Sequence, residues 1–467
     1  MKQALASRYS AAAAALLLAA GCSTPETEPV LPQGVSSTQD AQAGLAWTTG
    51  TLAPGALVAP ANLRILPGVN DATGSGGLVG APFWKSNNPE AITGEGWLMT
   101  NGGNAAQRGG TATPLSGAVA LYFSHLNFMG KLNNQNQPTT NRDLYLHLIA
   151  TNPGSGTVTI TGKGKAVANN LWRFRQTSPS LKSSWYLCSE AWTNNVLDNV
   201  SQTVQPLKAV EIAKVRLPAQ PSGQDVYTTE GRYELNVAGG SAYFTTVATF
   251  DGSLSRAVAF ASGNAAQQAP GNQGSPLITV DNSGTAYGRE AGIATNSAYY
   301  TGDVNVTLPA SGAAYMGLCF NTNNRKPIAD GSTIYYQDQS APFTMRLRSS
   351  TRTWGGYGHK YNAKLILRNP AATQKNVRIS LGANPINANN EVVFDGPVQT
   401  VVNGAASQVH QVTLFNNQYA ANSRGPQRQA LRTVPVPGNG TVTVNVVCYV
   451  PGLGFGAGLQ LDLESGI

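Results

Sequence analysis

Histidine and cysteine side chains, which serve as bases, nucleophiles and metal ligands, are few in this chain. The 467 residues include 4 His and 4 Cys, and only 12% are charged. The histidines His125, His147, His359 and His410 never show the four-residue spacing that places two ligands on one helix face. No two cysteines form a CxxC pair, the usual mark of a structural zinc site. The sequence therefore predicts no metal site and no cofactor.

Motifs for catalysis are missing as well. The sequence has no G-x-S-x-G nucleophile elbow, no H-E-x-x-H motif and no P-loop. The sequence does not exclude a carboxylate pair for glycoside hydrolysis, because such a pair is defined by its distance in space and not by its spacing along the chain. The pairs that lie closest in sequence are Glu90 with Glu95 and Glu230 with Glu234. Turn, edge or ion-pair roles are favoured for all four. We therefore predict a protein that is not an enzyme, and we assign no catalytic residue.

Three Asp-Gly pairs are the fairest candidates for a calcium site in an exported β protein. They are Asp251-Gly252, Asp330-Gly331 and Asp395-Gly396. None carries the D-x-[DN]-x-[DN]-G series of a calcium loop. Tight turns are the simpler interpretation of all three.

Aromatic side chains beside polar ones are the main indication of a ligand surface. Residues 171–192 hold Trp172, Trp185 and Tyr186, and residues 351–361 (TRTWGGYGHKY) hold Trp354 and Tyr357. Exposed rings of this kind stack on sugars or anchor protein partners. We interpret these five residues as candidate contacts. The alternatives are a cap on one end of a sandwich for the first group and a bend in a strand for the second.

The first residues predict export and lipid attachment. A short apolar run, Ala11–Ala20, follows Lys2 and Arg8 and ends before Leu-Ala-Ala-Gly-Cys22, which resembles a bacterial lipoprotein signal. We expect residues 1–21 to be a signal peptide and Cys22 to carry the lipid. Residues 22–45 are rich in Pro, Ser and Thr and read as a flexible tether. The alternative is an ordinary secretory signal.

These features define the expected location and partners. Ser23 stands where lipoproteins retained on the inner membrane carry aspartate, so the outer membrane is favoured. The net charge of +8 is scattered without a basic cluster, which argues against nucleic acid. We expect the protein in the cell envelope, facing the periplasm or the surface. Its partners would be the membrane, through the lipid anchor, and an envelope protein, a surface layer or a glycan.

Alternation of apolar and polar residues predicts strands through most of the chain. In DLYLHLIATNP the leucines share one face and Asn152-Pro153 marks a turn; AKLILRNP repeats this design, with Asn369-Pro370 at its turn. Aligning the two asparagines places His147 on Lys364. We therefore interpret His147 as a solvent- or interface-facing residue, and the repeat as a sign of two related modules. Accidental likeness is the alternative.

The resulting fold prediction is mainly β, with two β-sandwich modules, Ig-like or jelly-roll-like, antiparallel sheets and little helix. The first sandwich is placed at 46–300, bridging strands at 301–340 and the second sandwich at 341–467. Residues 207–217 fit neither period. Cys448 lies on the apolar face of TVTVNVVCYV and is predicted to be buried. A disulfide between two of Cys188, Cys319 and Cys448 stays open.

Six phrases in series carry a family resemblance. They are ILPGVNDA near 65, SNNPEAITGEGWLM at 86–99, FSHLNFMGKL at 123–132, YLHLIATNPGSGTVTI at 145–160, YGREAGIA at 287–294 and GGYGHKYNAKLILRNP at 355–370. Together they resemble the uncharacterised bacterial domain of unknown function 3370, best populated in cyanobacteria. The resemblance implies an exported, largely β protein and supplies no activity or site residue.

The function predicted from these features is that of a non-enzymatic, lipid-anchored cell-envelope protein with a structural or partner-binding role. The alternative is a carbohydrate-binding module or a polysaccharide-active protein of the cell surface. The lipid signal, the tether and the missing catalytic motifs favour the first.

Overall fold

Strands dominate the computed structural model of this chain. The residues it describes are 63–65, 76–130, 140–170, 182–219, 226–262, 269–272, 290–295, 297–320, 326–327, 333–334, 341–347, 349, 353, 356–385, 392–415, 428–450 and 457–467. The first thirteen strands are β1 (Leu63–Ile65), β2 (Gly76–Val79), β3 (Phe83–Ser86), β4 (Ala91–Ile92), β5 (Gly96–Thr100), β6 (Leu115–Asn127), β7 (Leu144–Thr151), β8 (Val158–Asn170), β9 (Asp198–Val204), β10 (Ala209–Leu217), β11 (Tyr227–Thr249), β12 (Gly271–Asn272) and β13 (Ala291–Ala294). The next twelve are β14 (Tyr299–Thr307), β15 (Gly312–Phe320), β16 (Lys326–Pro327), β17 (Thr333–Ile334), β18 (Phe343–Arg346), β19 (Lys360–Arg368), β20 (Lys375–Pro385), β21 (Val392–Val402), β22 (Gln408–Phe415), β23 (Arg428–Val436), β24 (Thr441–Tyr449) and β25 (Ala457–Ser465).

Helix is confined to short segments of the described chain. They are a 3₁₀ helix at Gly103–Arg108, α1 (Ser184–Thr193) and α2 (Leu254–Ser262). The ambiguous stretch 207–217 forms strand β10 over most of its length. The prediction of a mainly β fold built from sandwiches, with largely antiparallel sheets and little helix, is confirmed.

The second sandwich consists of two facing sheets. Their strand orders are β1-β15-β25-β20-β23 and β2-β14-β19-β24-β21-β22. The two sheets pack through their apolar faces, which follow from the alternation of apolar and polar residues along each strand. Strand β24 points Val442, Val444 and Val446 into the core, and β20 supplies apolar side chains from the other sheet. Cys448 continues the buried face of β24, so its predicted burial is confirmed.

The first module is folded around one long strand. Strand β11 lies between β6 and β8 through its first half and between β5 and β7 through its second half. The switch occurs at Gly239-Gly240, where the register with β6 shifts and Gly239 adopts φ +79°. A bulge with glycine in the left-handed region is a standard way for a strand to pass from one sheet to the facing one.

The second sandwich is built from strands that precede the first module in sequence and from strands that follow it. Strands β1 and β2 precede the first module in sequence, yet they pair with β15 and β14. Strands β14 and β15, residues 299–320, are inner strands of the second sandwich. They contain most of the described part of the segment 301–340, which we predicted to bridge the two modules. Strand β18 of the segment 341–467 joins the sheet of the first module instead. The first module is therefore inserted between strands of the second.

The two Asn-Pro turns are built in the same way. Asn152 donates from Nδ2 to Gly156 O (2.7 Å) and Val204 O (2.9 Å), and its Oδ1 accepts from Gly154 N (2.9 Å). Asn369 likewise donates to Thr373 O (2.8 Å) and Val436 O (3.1 Å) and accepts from Ala371 N (3.1 Å). Both side chains are fully buried. Each asparagine thus ties its own turn to the end of a neighbouring strand.

The equivalence extends to four strands in each module. Strand β7 pairs with β10 and β8 with β9, as β19 pairs with β24 and β20 with β23. The backbone N–H of Asn152 donates to Lys208 O and that of Asn369 to Gly440 O, each over 2.9 Å. Lys208 and Gly440 both precede the last strand of their unit. The interpretation of two modules of related plan is supported at the level of individual hydrogen bonds.

Candidate ligand pocket between the modules

A buried polar layer lies between the first module and the second sandwich. It starts on β11, where Thr228, Glu230, Arg232 and Glu234 share the face opposite Tyr233 and Leu235. Helix α1 packs on this face, and Arg232 also contacts Gly358 and Tyr449 of the second sandwich from it. We use "the polar layer" for Glu230, Arg232 and Glu234 together with Lys85, Glu290 and His359.

Arg232 is the central residue of the polar layer. Its side chain is only 2% exposed, and it donates to Gly358 O from Nε (2.8 Å) and to Glu234 Oε1 from Nη1 (2.7 Å). Its guanidinium lies 4.3 Å from the Trp192 ring and 4.9 Å from the Tyr449 ring, which adds cation–π contacts. Gly358 has φ +75°, and a Cβ there would meet the Tyr122 ring at 2.5 Å, so the carbonyl can approach Arg232 only because this residue is glycine.

Glu230 is a buried carboxyl group in the same layer. It is fully buried, and Ser124 Oγ donates to its Oε1 over 2.6 Å. Burial raises the pKa of Glu230 well above its usual range, although hydrogen bonds from Ser124, Tyr122 and Trp185 oppose that rise. A protonated carboxyl can remain here without a cationic partner.

Lys85, Glu290 and His359 form the other end of the layer. Lys85 Nζ lies 2.5 Å from Glu290 Oε2, and both side chains are buried. Burial lowers the pKa of Lys85 and raises that of Glu290 to about 7, and the attraction within the pair opposes both changes. His359 packs edge-on against Phe83 with ring centroids 4.8 Å apart. Burial, reinforced by Lys85 and Arg232, keeps the pKa of His359 well below its usual value, so the ring is neutral.

Helix α1 fastens the layer to the second sandwich. Ser183 caps the helix, since its Oγ accepts from Tyr186 N over 2.9 Å. The same hydroxyl donates to Asp395 Oδ2 on β21 over 2.6 Å, and Asp395 also accepts from Thr413. The hydroxyl of Ser184 bonds to that of Thr228 on β11. One helical turn therefore contacts both modules through polar groups.

A pocket of about 290 Å³ opens at the edge of the polar layer. We call it the junction pocket; its lining residues come from α1 and the loop that follows it, and from β8, β11, β14, β19, β21 and β24. They are Lys163, Trp192, Thr193, Asn195, Glu234, Tyr299, Lys360, Gln399 and Tyr449. Three rings, two ammonium groups, one carboxylate and two amides thus surround one small space.

The aromatic part of the pocket wall is held in place by its neighbours. The rings of Trp192 and Tyr449 lie 5.6 Å apart, and Trp192 Nε1 donates to Arg232 O over 3.2 Å. Burial raises the pKa of Tyr449 to about 12, and burial with the neighbouring Glu234 carboxylate raises that of Tyr299. Both phenols are therefore neutral hydrogen-bonding groups at neutral pH.

The polar part of the wall has donors and acceptors available. Gln399 Nε2 donates to Thr193 O over 3.2 Å, and Lys163 Nζ donates to Asn195 Oδ1 over 3.1 Å. The Gln399 carbonyl and the second and third donors of Lys163 have no further bond to the described residues. Rings together with amides and charges are the side chains that bind hydroxyl-rich ligands such as sugars.

Only part of the predicted contact set lies within the described residues. Cys22, Trp172 and Trp354 lie outside them. Trp185 is half-buried on α1 beside Glu230, and Tyr186 is buried under Lys182, whose Nζ lies 4.9 Å from the ring. Tyr357 is 8% exposed and belongs to the core of the second sandwich. None of these three is among the pocket-lining residues.

Sequence reasoning missed most of the residues that do line the pocket. Trp192 and Lys360 lie in the two aromatic segments that drew attention, but Lys163, Tyr299 and Tyr449 lie in ordinary alternating strands. The one usable signal is on β11, where two glutamates and an arginine alternate with residues of an apolar face. Of these, Glu234 has the ion-pair role that we favoured for it.

His147 is buried, so of the two predicted alternatives, a solvent-facing or an interface-facing residue, the solvent-facing one is wrong. Its Nδ1 lies 2.6 Å from Glu211 Oε2 and its Nε2 lies 2.8 Å from Thr249 Oγ1. Burial lowers the pKa of His147, although Glu211 opposes this. The Glu–His–Thr order matches a nucleophilic triad, but Thr249 is fully buried and its hydroxyl also accepts from Gly252 N. The group joins β10, β7 and the strand end of β11.

Segments that carry the family resemblance meet in space. Ser86 Oγ lies 2.9 Å from His125 Nε2, and His125 Nδ1 lies 2.8 Å from Pro89 O. Asn87 N donates to Glu290 O over 2.7 Å. Burial lowers the pKa of His125 to about 4, with a further contribution from Arg108. These phrases of the sequence therefore build one region around the polar layer.

The Asp-Gly pairs differ from one another in the structure. Asp251-Gly252 lies in a bend between β11 and α2, with Gly252 at φ +68°. Asp395-Gly396 is not a turn; it lies inside β21, where Asp395 bonds to Ser183 and Thr413. Asp330-Gly331 lies outside the described residues. Within the described part of the chain, no three His, Cys, Asp or Glu side chains are placed to hold a metal ion.

Two of the cysteines are free thiols in the interior. Cys188 and Cys448 are buried and unpaired, so a disulfide between them is excluded; the side chain of Cys319 is not among those described. Burial raises the pKa of Cys448 to about 12 and also raises that of Cys188. In the described residues, no helix is long and apolar enough to cross a membrane.

Comparisons with known proteins do not assign a family. No family model matches the chain, and no curated protein matches its sequence. Among solved structures, the CUB1-EGF-CUB2 domain of human MASP-1/3 aligns at 9% identity over 74% of this chain and 99% of its own, with a TM-score of 0.16. The CBM22-1-CBM22-2 tandem domain of Paenibacillus barcinonensis Xyn10C aligns at 9% identity over 77% and 94%, with a TM-score of 0.14. TM-scores of this size do not establish a shared fold, so function has to be inferred from the pocket.

Proposed function

We propose that this protein is a non-enzymatic binding protein of the cell envelope that holds a saccharide unit in the junction pocket. One observation carries the proposal: Trp192, Tyr299 and Tyr449 line a space of about 290 Å³ together with charged and amide groups. That volume is at the lower end of the range for small-molecule sites, which run from about 300 to 1,000 Å³, and suits one or two sugar rings.

Preorganisation supports a binding role. The walls come from both modules, and the buried bonds of Arg232 and Ser183 hold those modules together. A ligand that enters the pocket does not have to order its walls, which reduces the entropic cost of binding. Trp192 and Tyr449 are only 7% and 8% exposed, so they form a fixed part of the wall, while the half-buried Tyr299 is the most accessible of the three rings.

The chemistry of the ionisable groups supports a role without catalysis. A general acid or base has to reach a reacting atom within hydrogen-bond distance. Among the carboxyl and imidazole groups of the polar layer, Glu230 and His359 have strongly altered pKa values, but both are fully buried and do not line the pocket. Glu234 does line it; burial acts to raise its pKa, but Arg232, Tyr299 and Lys360 together hold that pKa below the usual value.

Envelope attachment through Cys22 is part of the same proposal. The lipoprotein-type signal and the following tether would place the modules at a membrane surface, where glycans and envelope proteins are the available ligands. The resemblance to the domain of unknown function 3370 points to an exported protein as well.

The proposal is tested by measuring saccharide binding to the mature protein. An array of neutral and acidic oligosaccharides, followed by calorimetry with the best one, should give binding that Thr193→Trp abolishes by filling the pocket. The matched control is Val196→Trp, because Val196 is 63% exposed near the same helix end and does not line the pocket. Absence of binding to every saccharide, or equal binding by both variants, would contradict the proposal.

A further inference from the structure

The charges around the junction pocket do not cancel. Glu234 is the only acidic residue among its lining side chains, and its carboxylate is already paired with Arg232 over 2.7 Å. Lys163 and Lys360 are the two basic lining residues, and neither forms an ion pair with a described carboxylate. The described wall of the pocket is therefore electropositive.

Lys360 is the more informative of the two lysines. It is half-buried, and its Nζ lies 5.6 Å from the centroid of the Tyr449 ring without a hydrogen bond to any described residue. Burial lowers its pKa; Arg232 and Lys163 add to this, and Glu234 opposes it. A half-buried ammonium group with donors to spare is a favourable partner for an anionic ligand.

Lys163 supplies a second contact on the opposite module. It projects from β8 of the first module, whereas Lys360 begins β19 of the second sandwich. Lys163 is exposed, and its one bond to a described residue goes to the neutral Asn195 amide, so no described carboxylate is bonded to its ammonium group. The two ammonium groups thus approach the pocket from both modules, with the aromatic rings beside them.

We propose that the junction pocket selects an acidic saccharide and binds its carboxylate between the ammonium groups of Lys163 and Lys360. This inference rests on the proposed saccharide-binding function and names its ligand class. The sugar ring lies beside Tyr299, the least buried of the three rings, and its hydroxyl groups bond to Gln399 and Asn195. A charge-assisted hydrogen bond is about twice as strong as a neutral one, so the carboxylate dominates selectivity.

The test compares three related ligands on the mature protein. Calorimetry is carried out with trigalacturonate, with its methyl ester, which removes the charges and keeps the sugar, and with neutral galactotriose. We expect trigalacturonate to bind at least about tenfold more tightly than the other two, because a hydrogen bond to a charged group contributes about 1.5–3 kcal/mol. Its affinity should also fall as salt is raised.

Charge-removing variants locate the site. Lys360→Met and Lys163→Met should each weaken trigalacturonate binding about tenfold or more and leave galactotriose binding unchanged. Lys165→Met is the matched control, because Lys165 lies two residues along β8, pairs with Asp198 and does not line the pocket. Unchanged unfolding midpoints would show that all three variants are folded.

The outcomes separate this inference from the function on which it rests. Equal binding of trigalacturonate, its ester and galactotriose would overturn the acidic selectivity and leave saccharide binding standing. Tight trigalacturonate binding that Lys165→Met weakens as much as Lys360→Met would also overturn the assigned position. Absence of binding by any of the three, together with an empty oligosaccharide array, would overturn both proposals.

Discussion

Replacement of Arg232 by methionine should destabilise the protein by about 3 kcal/mol. Methionine keeps much of the side-chain length but removes every donor, so Gly358 O and Glu234 each lose a hydrogen bond of 2.7–2.8 Å. Breaking a buried ion pair by removing one partner costs about 3–5 kcal/mol. Because the Glu234 side chain is 28% exposed, water recovers part of the loss, and the lower end of that range applies.

Urea unfolding followed by tryptophan fluorescence measures this cost. The control is Arg216→Met, which removes an ion pair with Asp143 of similar length, 2.6 Å, but at a site where the Arg216 side chain is 59% exposed. Exposed pairs contribute about 1 kcal/mol or less, so this variant should unfold almost as the parent does. The double variant with Glu234→Gln should lose less than the two single variants combined, since both changes break the same bond.

A loss below about 1 kcal/mol for Arg232→Met would refute this reasoning. Equality between Arg232→Met and Arg216→Met would do so too, because it would mean that burial does not distinguish the two pairs. Strict additivity with Glu234→Gln would show that the two side chains are not coupled.

Three further predictions concern other buried polar groups. Asn152→Ala and Asn369→Ala should each lower the free energy of unfolding by about 2–4 kcal/mol, since each leaves buried carbonyls without donors. The control is Asn376→Ala, which changes an exposed asparagine. Clearly unequal losses for the first two variants would count against the equivalence of the two turns. Ser183→Ala should lower the free energy of unfolding by about 1–2 kcal/mol, because it removes the cap of α1 and its bond to Asp395. A thermal or urea midpoint equal to that of the parent protein would contradict this prediction. For His125, the pKa is about 4 in the folded protein and about 6.5 when unfolded, so the unfolded chain binds the proton first and stability is lost as the pH falls from 6.5 to 4. The loss should reach about 3 kcal/mol relative to His125→Gln; parallel stability–pH curves for the two proteins would contradict it.

Local patterns were a sound guide to the strands and to the repeated turn. Alternation in β24 placed Cys448 on the correct face, and the Asn-Pro pairs marked two equivalent corners. Both are properties of a few consecutive residues: side chains of a strand alternate between faces, and an asparagine bonds to its own turn. The same logic failed for His147, because alternation shows which residues leave the apolar face but not what covers the opposite one.

The sequence by itself determined that the chain is mainly β and that it has no G-x-S-x-G, H-E-x-x-H or P-loop motif, and it predicted that the unit around Asn152 recurs around Asn369. Only the tertiary structure decided that β1, β2, β14 and β15 belong to the second sandwich and that charged residues of β11 are buried. A strand carries the same alternation in whichever sheet it joins, so its sheet depends on packing of the whole chain. Burial of Arg232 likewise depends on Gly358, which lies 126 residues away along the chain. The junction pocket exists because such distant partners meet.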